Sequence, residues 1–448
     1  MSKMNISFSR EIPLNDQYDV IVAGGGPSGC GAAIAAAREG ASVLLIEAAG
    51  ALGGMGTNGL VPAWCPFSDR TKIVYCGIAL EVFEKAKAEM KHVKQEDLDW
   101  VPIDPEALKR VYDELVTNAG VTVLFYTQVL AAICEGQKID YIATANKAGI
   151  TAYKAKVYID CTGDADLAAL SGLEFEYGEE ENHEVQPSTH CFMIANVDDY
   201  HYRNMPFLHM NNKDSAVYDI ARSEKYPLVT DPHCCNSVIG PGTVGFNAGH
   251  IWDVDAADPF CVSKAMMEGR KIAYQYHQGL KEYLPEVFGG SFLAATAPAM
   301  GIRESRRIIG EYTITLADYM ERRSFPDEIG RNCYFLDVHH SIREREKLLR
   351  GESNGQEGHQ GYLDGESHGI PYRSLIPKNL KNMLVAGRSI SCEHIVQGSI
   401  RVMPVCLVTG QAAGTAARLA CDTPDHEVRA IDISKLREIL KRNGAFLE

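Results

Sequence analysis

The sequence predicts an α/β fold, a domain built on a parallel sheet with a second, mixed α+β domain inserted into it. Three observations predict this. Residues 18–47, YDVIVAGGGPSGCGAAIAAAREGASVLLIE, set a short β-branched run, a glycine turn, an Ala-rich stretch and a second apolar run in order. The same texture returns late in the chain, at 383–389 (MLVAGRS) and 404–420 (PVCLVTGQAAGTAARLA). Between them, from about 170 to 370, the chain becomes richer in Pro, Tyr, His and charge.

The elements follow in chain order. DVIVA (19–23) is short, β-branched and ended by glycine, which marks a buried strand. Residues 28–39 are Ala-rich and suit a helix packed closely on a sheet, and SVLLI (42–46) is a second buried strand. Together they make a βαβ unit whose glycine turn feeds the helix. Residues 104–119 read as an amphipathic helix with Pro105 in its first turn and Gly120 at its end. VTVLFY (121–126) is another buried strand, and 127–155 alternates with hairpin-like breaks, as in an antiparallel meander. KVYIDCTGDADLA (156–168) is a strand, a Gly/Asp turn and a helix start. The polar stretch 351–369 reads as a loop. MLVAGRS is a strand entering a turn, and 404–420 is a small-residue helix. The simplest organisation is a discontinuous Rossmann-like domain, residues 17–168 and 372–448, carrying a β-meander, with 169–371 inserted as a substrate or cap domain.

Composition narrows the function. A net charge of −15 over 448 residues argues against nucleic acid or an anionic membrane as the main partner. The start of the chain, MSKMNISFSREIPLNDQ, has no apolar signal region, and the longest uncharged runs (20–37 and 402–417) fit strand–turn–helix patterns rather than membrane spans. A soluble cytoplasmic protein is expected. Thirteen cysteines, an odd number without a C-x-x-C pair, point to reduced thiols rather than a disulfide framework. The fourteen histidines show no H-x-x-x-H spacing joined to a carboxylate, so no metal is expected.

The glycine turn carries the chemistry. Gly24 allows the tight turn, Gly26 lets a pyrophosphate approach the backbone, and Gly29 lets the helix pack on the strand. The helix start then offers N–H groups and a positive dipole end to phosphate. Glu47 ends the second strand, where an acidic side chain accepts hydrogen bonds from ribose hydroxyls. An acid there favours NAD or FAD over NADP. AAGALGGMGTNG (48–59) follows at once as a second glycine-rich stretch. A nicotinamide site needs no such loop; a long flavin dinucleotide needs backbone close along its length, which favours FAD.

The order GGGPSG, VLLIE, LGGMGTNG, IDCTGDADLA, GIRESRRIIGEY (301–312), IPYRSLIPKNLKNMLVAGRSIS (370–391) and GSIRVMPVCLVTGQAAGTAA (398–417) resembles a bacterial family of FAD-dependent oxidoreductases of the glutathione-reductase-like superfamily. The resemblance runs from about 18 to 420. It implies that Gly24, Gly26, Pro27, Ser28 and Gly29 line the pyrophosphate and that Glu47 binds the adenosine ribose. It puts Gly53, Gly54, Met55 and Thr57 along the ribityl and flavin region, Val129 at an adenine-side backbone contact, and Gly163 and Asp164 over the diphosphate. Gly387 and Arg388 occupy a strand end where the superfamily often has Gly-Asp; arginine replaces that acid here. Gly398, Ser399, Arg401 and Met403 lead into a helix whose N-terminus would face the flavin and stabilise its anionic reduced form. By pattern alone the same helix also reads as an Ala-packed core helix.

Flavins supply hydride chemistry while the protein places the substrate and tunes charge. In GIRESRR, Arg303 and Arg306 read as a clamp on a substrate carboxylate, as a stabiliser of negative charge near the flavin, or as an interdomain or ribityl-side ion-pair network. His394, in SCEHIVQGSIR (391–401), reads as a general base oriented by Glu393 or as a structural histidine. Cys65 lacks the C-x-x-x-x-C partner of disulfide reductases and reads as packing. His339 and His340 follow an apolar strand, CYFLDV (333–338), and read as cavity-lining or as structural residues. The expected activity is an FAD-dependent oxidoreductase passing hydride between a small organic substrate and flavin N5, with a separate electron acceptor. Two other readings stay open: a flavin-assisted lyase or isomerase without net redox change, and a non-catalytic module that retains FAD. No second G-x-G-x-x-G with an acidic partner occurs in 170–371, which argues against a dedicated NAD(P)H domain.

Overall fold

The computed structural model describes residues 9–180, 183–339 and 361–448. A short strand, β1 (Leu14–Asn15), precedes β2 (Val20–Ala23), α1 (Pro27–Arg38) and β3 (Val43–Ile46). Every residue of β2 and β3 is buried, as befits parallel strands covered on both faces. Next come α2 (Ile78–Ala88) and α3 (Pro105–Asn118). The Asp104 carboxylate caps α3 by accepting from the N–H groups of Glu106 and Ala107. Its buried face runs Leu108, Val111, Tyr112 and Leu115, at helical spacing. β4 (Thr122–Leu124) rejoins the sheet, and β5 (Gln128–Glu135), β6 (Lys138–Asn146) and β7 (Gly149–Tyr153) form the expected antiparallel meander. β1 adds to its edge, parallel to β7. β8 (Val157–Asp160) and α4 (Asp166–Leu170) complete the first run.

The middle of the chain is different. It contains β9 (Phe175–Tyr177), β10 (Phe192–Ala195), α5 (Asp199–Asn204), α6 (Ala216–Arg222), β11 (Cys234–Gly240), β12 (Thr243–Ala248), α7 (Pro259–Tyr283), α8 (Pro285–Phe288) and β13 (Phe292–Thr296). An antiparallel sheet of order β11-β12-β10-β13 packs here with α6 and α7 around Phe192, Phe246, Tyr276 and Phe288. Then follow β14 (Arg306–Ile308), which pairs with β9, α9 (Leu316–Met320), and β15 (Glu328–Asn332) with its partner β16 (His368–Pro371). Ile314, Ile329, Tyr334 and Ile370 pack into the first core rather than the second.

The chain then re-enters the first sheet through β17 (Met383–Val385), followed by α10 (His394–Ile400), α11 (Met403–Ala420) and α12 (Ile433–Arg442). The central sheet is five parallel strands in the order β17-β8-β2-β3-β4. The period of two divides its side chains between two layers. Val20, Val22, Val43 and Leu45 face the helices, whereas Ile21, Ala23, Leu44 and Ile46 face the meander with Ile139 and Ile142.

α1 and α11 pack backbone to backbone. A Cβ at Gly410 would stand 2.1 Å from the Ser28 carbonyl oxygen, and one at Gly414 would stand 2.0 Å from that of Ala32. Small residues at this spacing are what let two helices share one face of a sheet so closely.

Two local expectations are corrected. CYFLDV is not a strand: β15 ends at Asn332, and residues 333–338 run without a strand ladder. Side chains take the place of the ladder. Tyr75 Oη accepts from the Cys333 N–H, the Ser399 hydroxyl donates to the Tyr334 carbonyl, and Arg401 donates to the Asp337 carbonyl. The loop expected over 351–369 ends early, because His368 begins β16; residues 351–360, like His340, lie outside the described residues.

Candidate dinucleotide site and active site

The glycine turn sits at the C-terminal end of β2, at the edge of the parallel sheet where ligands bind in such folds. Gly24 has φ +95°, and a Cβ there would stand 2.4 Å from the Cys161 carbonyl oxygen, so only glycine fits. A Cβ at Gly29 would stand 1.8 Å from the Gly24 carbonyl oxygen, which seats α1 hard against the turn. Gly26 is the opposite case: nothing lies within 4 Å of where its Cβ would be. Gly26 is the N-cap of α1, with Pro27 in the first turn and no side chain capping the helix. The Glu47 carboxylate braces the turn, accepting from the Gly25 N–H at 2.6 Å and the Ala49 N–H at 2.7 Å.

The second glycine-rich stretch folds onto the first. The Gly53 N–H donates to the Gly25 carbonyl at 2.8 Å, and a Cβ at Gly54 would stand 3.0 Å from Gly26 Cα. Thr57 Oγ1 donates to the Leu52 carbonyl at 2.6 Å and closes the 3₁₀ turn that carries Met55. Met403, at the start of α11, approaches Gly56 on the same side: a Cβ at Gly56 would stand 3.2 Å from its sulfur. Gly387, at the end of β17, faces Ser28, whose Oγ would lie 2.7 Å from an added Cβ. α11 also starts without a side-chain cap, so two helix N-termini open toward one glycine-lined corner. Val129 lies on β5 near the Glu47 end, two residues past Thr127, whose N–H donates to the Glu47 carbonyl.

Gly163 and Asp164 follow β8 and meet Arg388. The Arg388 guanidinium covers Gly163 and donates to Asp164 Oδ1 at 2.7 Å, which also accepts from Ser305 Oγ at 2.5 Å. The arginine standing at the strand end therefore has its acid supplied by Asp164. Arg388 Nε is buried without a hydrogen-bond partner.

The model of the FAD-dependent oxidoreductase family matches residues 19–440. The chain belongs to the FAD-dependent oxidoreductase family. A comparison with curated proteins gives no match. Among solved structures, a geranylgeranyl bacteriochlorophyll reductase-like protein from Thermoplasma acidophilum is 13% identical with a TM-score of 0.45, covering 97% of this chain and 85% of its own. L-Proline dehydrogenase from P. horikoshii is 12% identical with a TM-score of 0.41, covering 90% of this chain and 93% of its own.

The oxidoreductase is FAD-dependent, and its corner fits the cofactor. The open space at Gly26, the two uncapped helix starts and the unpartnered Arg388 Nε all suit a long anionic dinucleotide.

A second polar centre lies where α10 and the start of α11 meet the inserted segment. Arg303, only 7% exposed, donates to the Pro187 carbonyl at 2.6 Å and to Thr189 Oγ1 at 2.7 Å. Burial, then the nearby Arg401 charge, lowers its pKa to about 10. Arg401 donates to the Asp337 carbonyl at 2.8 Å and reaches its carboxylate at 3.4 Å; its Nε is buried without a partner. Burial opposes ionisation of Asp337, but His339, Arg401 and Arg303 outweigh it and hold the carboxyl well below its ordinary range. Burial pushes the nearby Cys65 and Cys235 thiols up, to about 12 and about 11, which makes them poor nucleophiles.

The remaining expected residues divide. Arg306 engages different partners from Arg303: the Asp164 carbonyl at 2.9 Å and the Asp166 carboxylate at 2.8 Å, with its guanidinium over Phe175. His394 is oriented by Glu304 and not by Glu393, a correction to the sequence reading. Its Nδ1 lies 2.7 Å from Glu304 Oε1, while Glu393 accepts from the Leu316 N–H. Glu304 also takes Arg307 at 2.5 Å and the Gln186 N–H at 3.2 Å. Gly398 and Ser399 are turned to the 333–338 segment: a Cβ at Gly398 would stand 3.0 Å from the Asp337 carbonyl, and Asn332 donates to Ser399 Oγ at 2.7 Å. The sequence reading missed Asp337, Gln186 and Gln397. Gln397 Nε2 donates to the Arg303 carbonyl at 2.8 Å and its Oε1 accepts from Gln186 at 2.9 Å. Nothing in local spacing signals these contacts, which join residues far apart in the chain.

Proposed function

We propose that this oxidoreductase passes hydride between a small carboxylate-bearing substrate and FAD, with the substrate held in the cleft between the sheet domain and the inserted domain, residues 169–371. The observation that carries this reading is that Arg401 reaches the Asp337 carboxylate while the buried Arg303 hydrogen-bonds only neutral partners, among them the Pro187 carbonyl and Thr189. That leaves one uncompensated positive charge inside the protein, which an anionic substrate would neutralise.

When bound, FAD supplies a two-electron centre that accepts or returns hydride at N5. Gly24, Gly26, Pro27, Ser28 and Gly29 present the α1 N-terminus to the pyrophosphate. Glu47 offers its remaining acceptor capacity to the ribose, with Val129 beside the adenine. Gly53, Gly54, Met55 and Thr57 follow the ribityl chain, and Gly163, Asp164, Gly387 and Arg388 close over the phosphates. Met403 and the α11 N-terminus stabilise negative charge on the flavin side. Arg303 and Arg401 orient the substrate carboxylate. Arg306 and His394 act as positioning residues: the first fixes the 163–166 turn, and the second holds Glu304, which also binds Arg307 and the Gln186 N–H.

Anaerobic mixing of the FAD-loaded enzyme with a panel of small carboxylates tests this. A substrate bleaches the oxidised flavin band, and Arg303→Lys raises the concentration needed at least tenfold, about 1.4 kcal/mol, because a point-charge ammonium cannot reproduce the fork. A compound turned over with the flavin oxidised throughout would overturn the redox step in favour of a lyase or isomerase.

A further inference from the structure

We infer that His233, His250 and His339 form a three-imidazole site for a divalent transition-metal ion. They come from three places: just before β11, just after β12, and the segment that follows β15. One nitrogen from each ring lies within 4.8 Å of one nitrogen from each of the others. His250 Nε2 and His339 Nδ1 are 3.0 Å apart. The other nitrogen of each of these rings faces a carboxylate, His250 Nδ1 toward Asp231 Oδ1 at 3.3 Å and His339 Nε2 toward Asp337 Oδ1 at 3.6 Å. This is the arrangement of metal-ligating histidines, with a carboxylate on one nitrogen directing the lone pair of the other. Two nitrogens bound to one tetrahedral ion lie about 3.4 Å apart, so the observed pair needs little movement.

His233 completes the set. It is 2% exposed, and its Nδ1 is buried without a hydrogen-bond partner. Its ring stacks on His250 with centroids 4.1 Å apart and meets His339 edge-on at 5.2 Å. An unsatisfied imidazole nitrogen in the interior is costly unless something binds it. Three imidazole nitrogens leave a fourth position for an oxygen ligand. Imidazole donors select zinc-like and later first-row divalent ions over magnesium or calcium. The inference stands apart from the flavin reading, since it needs no flavin contact.

The test uses the FAD-loaded protein, cleared of metal by a chelator and titrated with Zn²⁺ and, separately, Co²⁺. One ion per chain is expected. X-ray absorption of the zinc form should show three imidazole nitrogens at about 2.0–2.1 Å. His233→Ala and His250→Ala should each weaken binding at least tenfold while FAD content stays at the wild-type level. Binding well below one ion per chain, a shell of sulfur or of oxygen alone, or variants that bind as tightly as wild type would each overturn the site. Should a variant lose FAD, the wild-type absorption spectrum decides by itself, because it reads the ligands directly.

Discussion

At the residue scale, glycines with opposite surroundings separate folding from binding. Gly29 has no room for a Cβ, whereas the space at Gly26 is open. If that space belongs to the pyrophosphate, Gly26→Ala should leave the fold within about 1 kcal/mol of wild type, the ordinary cost of an alanine N-cap. It should also weaken FAD at least tenfold by filling the approach. Urea denaturation of the FAD-free variant and FAD titration read the two effects separately; unchanged FAD affinity would move the pyrophosphate elsewhere. Asp19 supplies a residue-scale prediction in pH. Burial opposes its ionisation, but the Lys156 ammonium and the N–H and O–H of Ser42 outweigh it and hold its carboxyl at about 2. A carboxyl depressed in the folded state stabilises above its unfolded value near 4, and that stability is lost as pH falls through about 2. With its side chain 30% exposed and solvent screening allowed for, the effect is about 1–2 kcal/mol. Asp19→Asn should therefore be less stable at pH 7, with a shallower fall between pH 4 and pH 2. Parallel urea midpoints for the two proteins across that range would refute it.

At the element scale, the first βαβ unit, the amphipathic α3, the meander and the returning β17 and α11 are legible because each rests on local pattern: an apolar period, a cap or a turn residue. The 333–338 segment is not legible, because its backbone partners are the side chains of Tyr75, Ser399 and Arg401. Its apolar run looks like a strand, but no strand ladder forms along it. The α1–α11 contact is partly legible in the small residues of 404–420, and it yields a graded prediction. Alanine at Gly410 or Gly414 forces the helices apart and should cost about 1–3 kcal/mol each, the range of an overpacked core. The two should differ in function. Gly410 presses on Ser28, in the first turn of α1, whereas Gly414 presses on Ala32, one turn further along. Gly410→Ala should therefore also lower FAD affinity several-fold, while Gly414→Ala leaves it within twofold. Equal affinities in the two variants would mean that α1 absorbs the shift without moving its N-terminus.

At the scale of the whole molecule, the cofactor corner and the buried polar centre differ in how they are assembled. Most of the corner is written in two local glycine-rich runs and two returning segments. The polar centre is assembled from residues 186, 233, 250, 303, 337, 339 and 401, whose proximity exists only after folding; no spacing rule for histidine ligands spans such separations. Among the described residues the two largest cores lie apart, one against the parallel sheet and one around Phe192, Phe246, Tyr276 and Phe288. The segments proposed to hold FAD, from Gly24 to Thr57, Gly163–Asp164, Gly387–Arg388 and Met403, all lie beside the parallel sheet. FAD should then stabilise the two cores unequally. At a hundredfold excess over its dissociation constant a ligand adds about 2.7 kcal/mol to the unit that binds it. For a unit of roughly 200 residues that is a rise of about 5–10 °C in melting temperature. Calorimetry of the FAD-free protein should resolve two transitions, and added FAD should move one by that amount while shifting the other by less than half as much. A single transition that moves as a whole would show instead that Ile314, Ile329, Tyr334 and Ile370, which tie the inserted segment into the first core, couple the two cores into one cooperative unit.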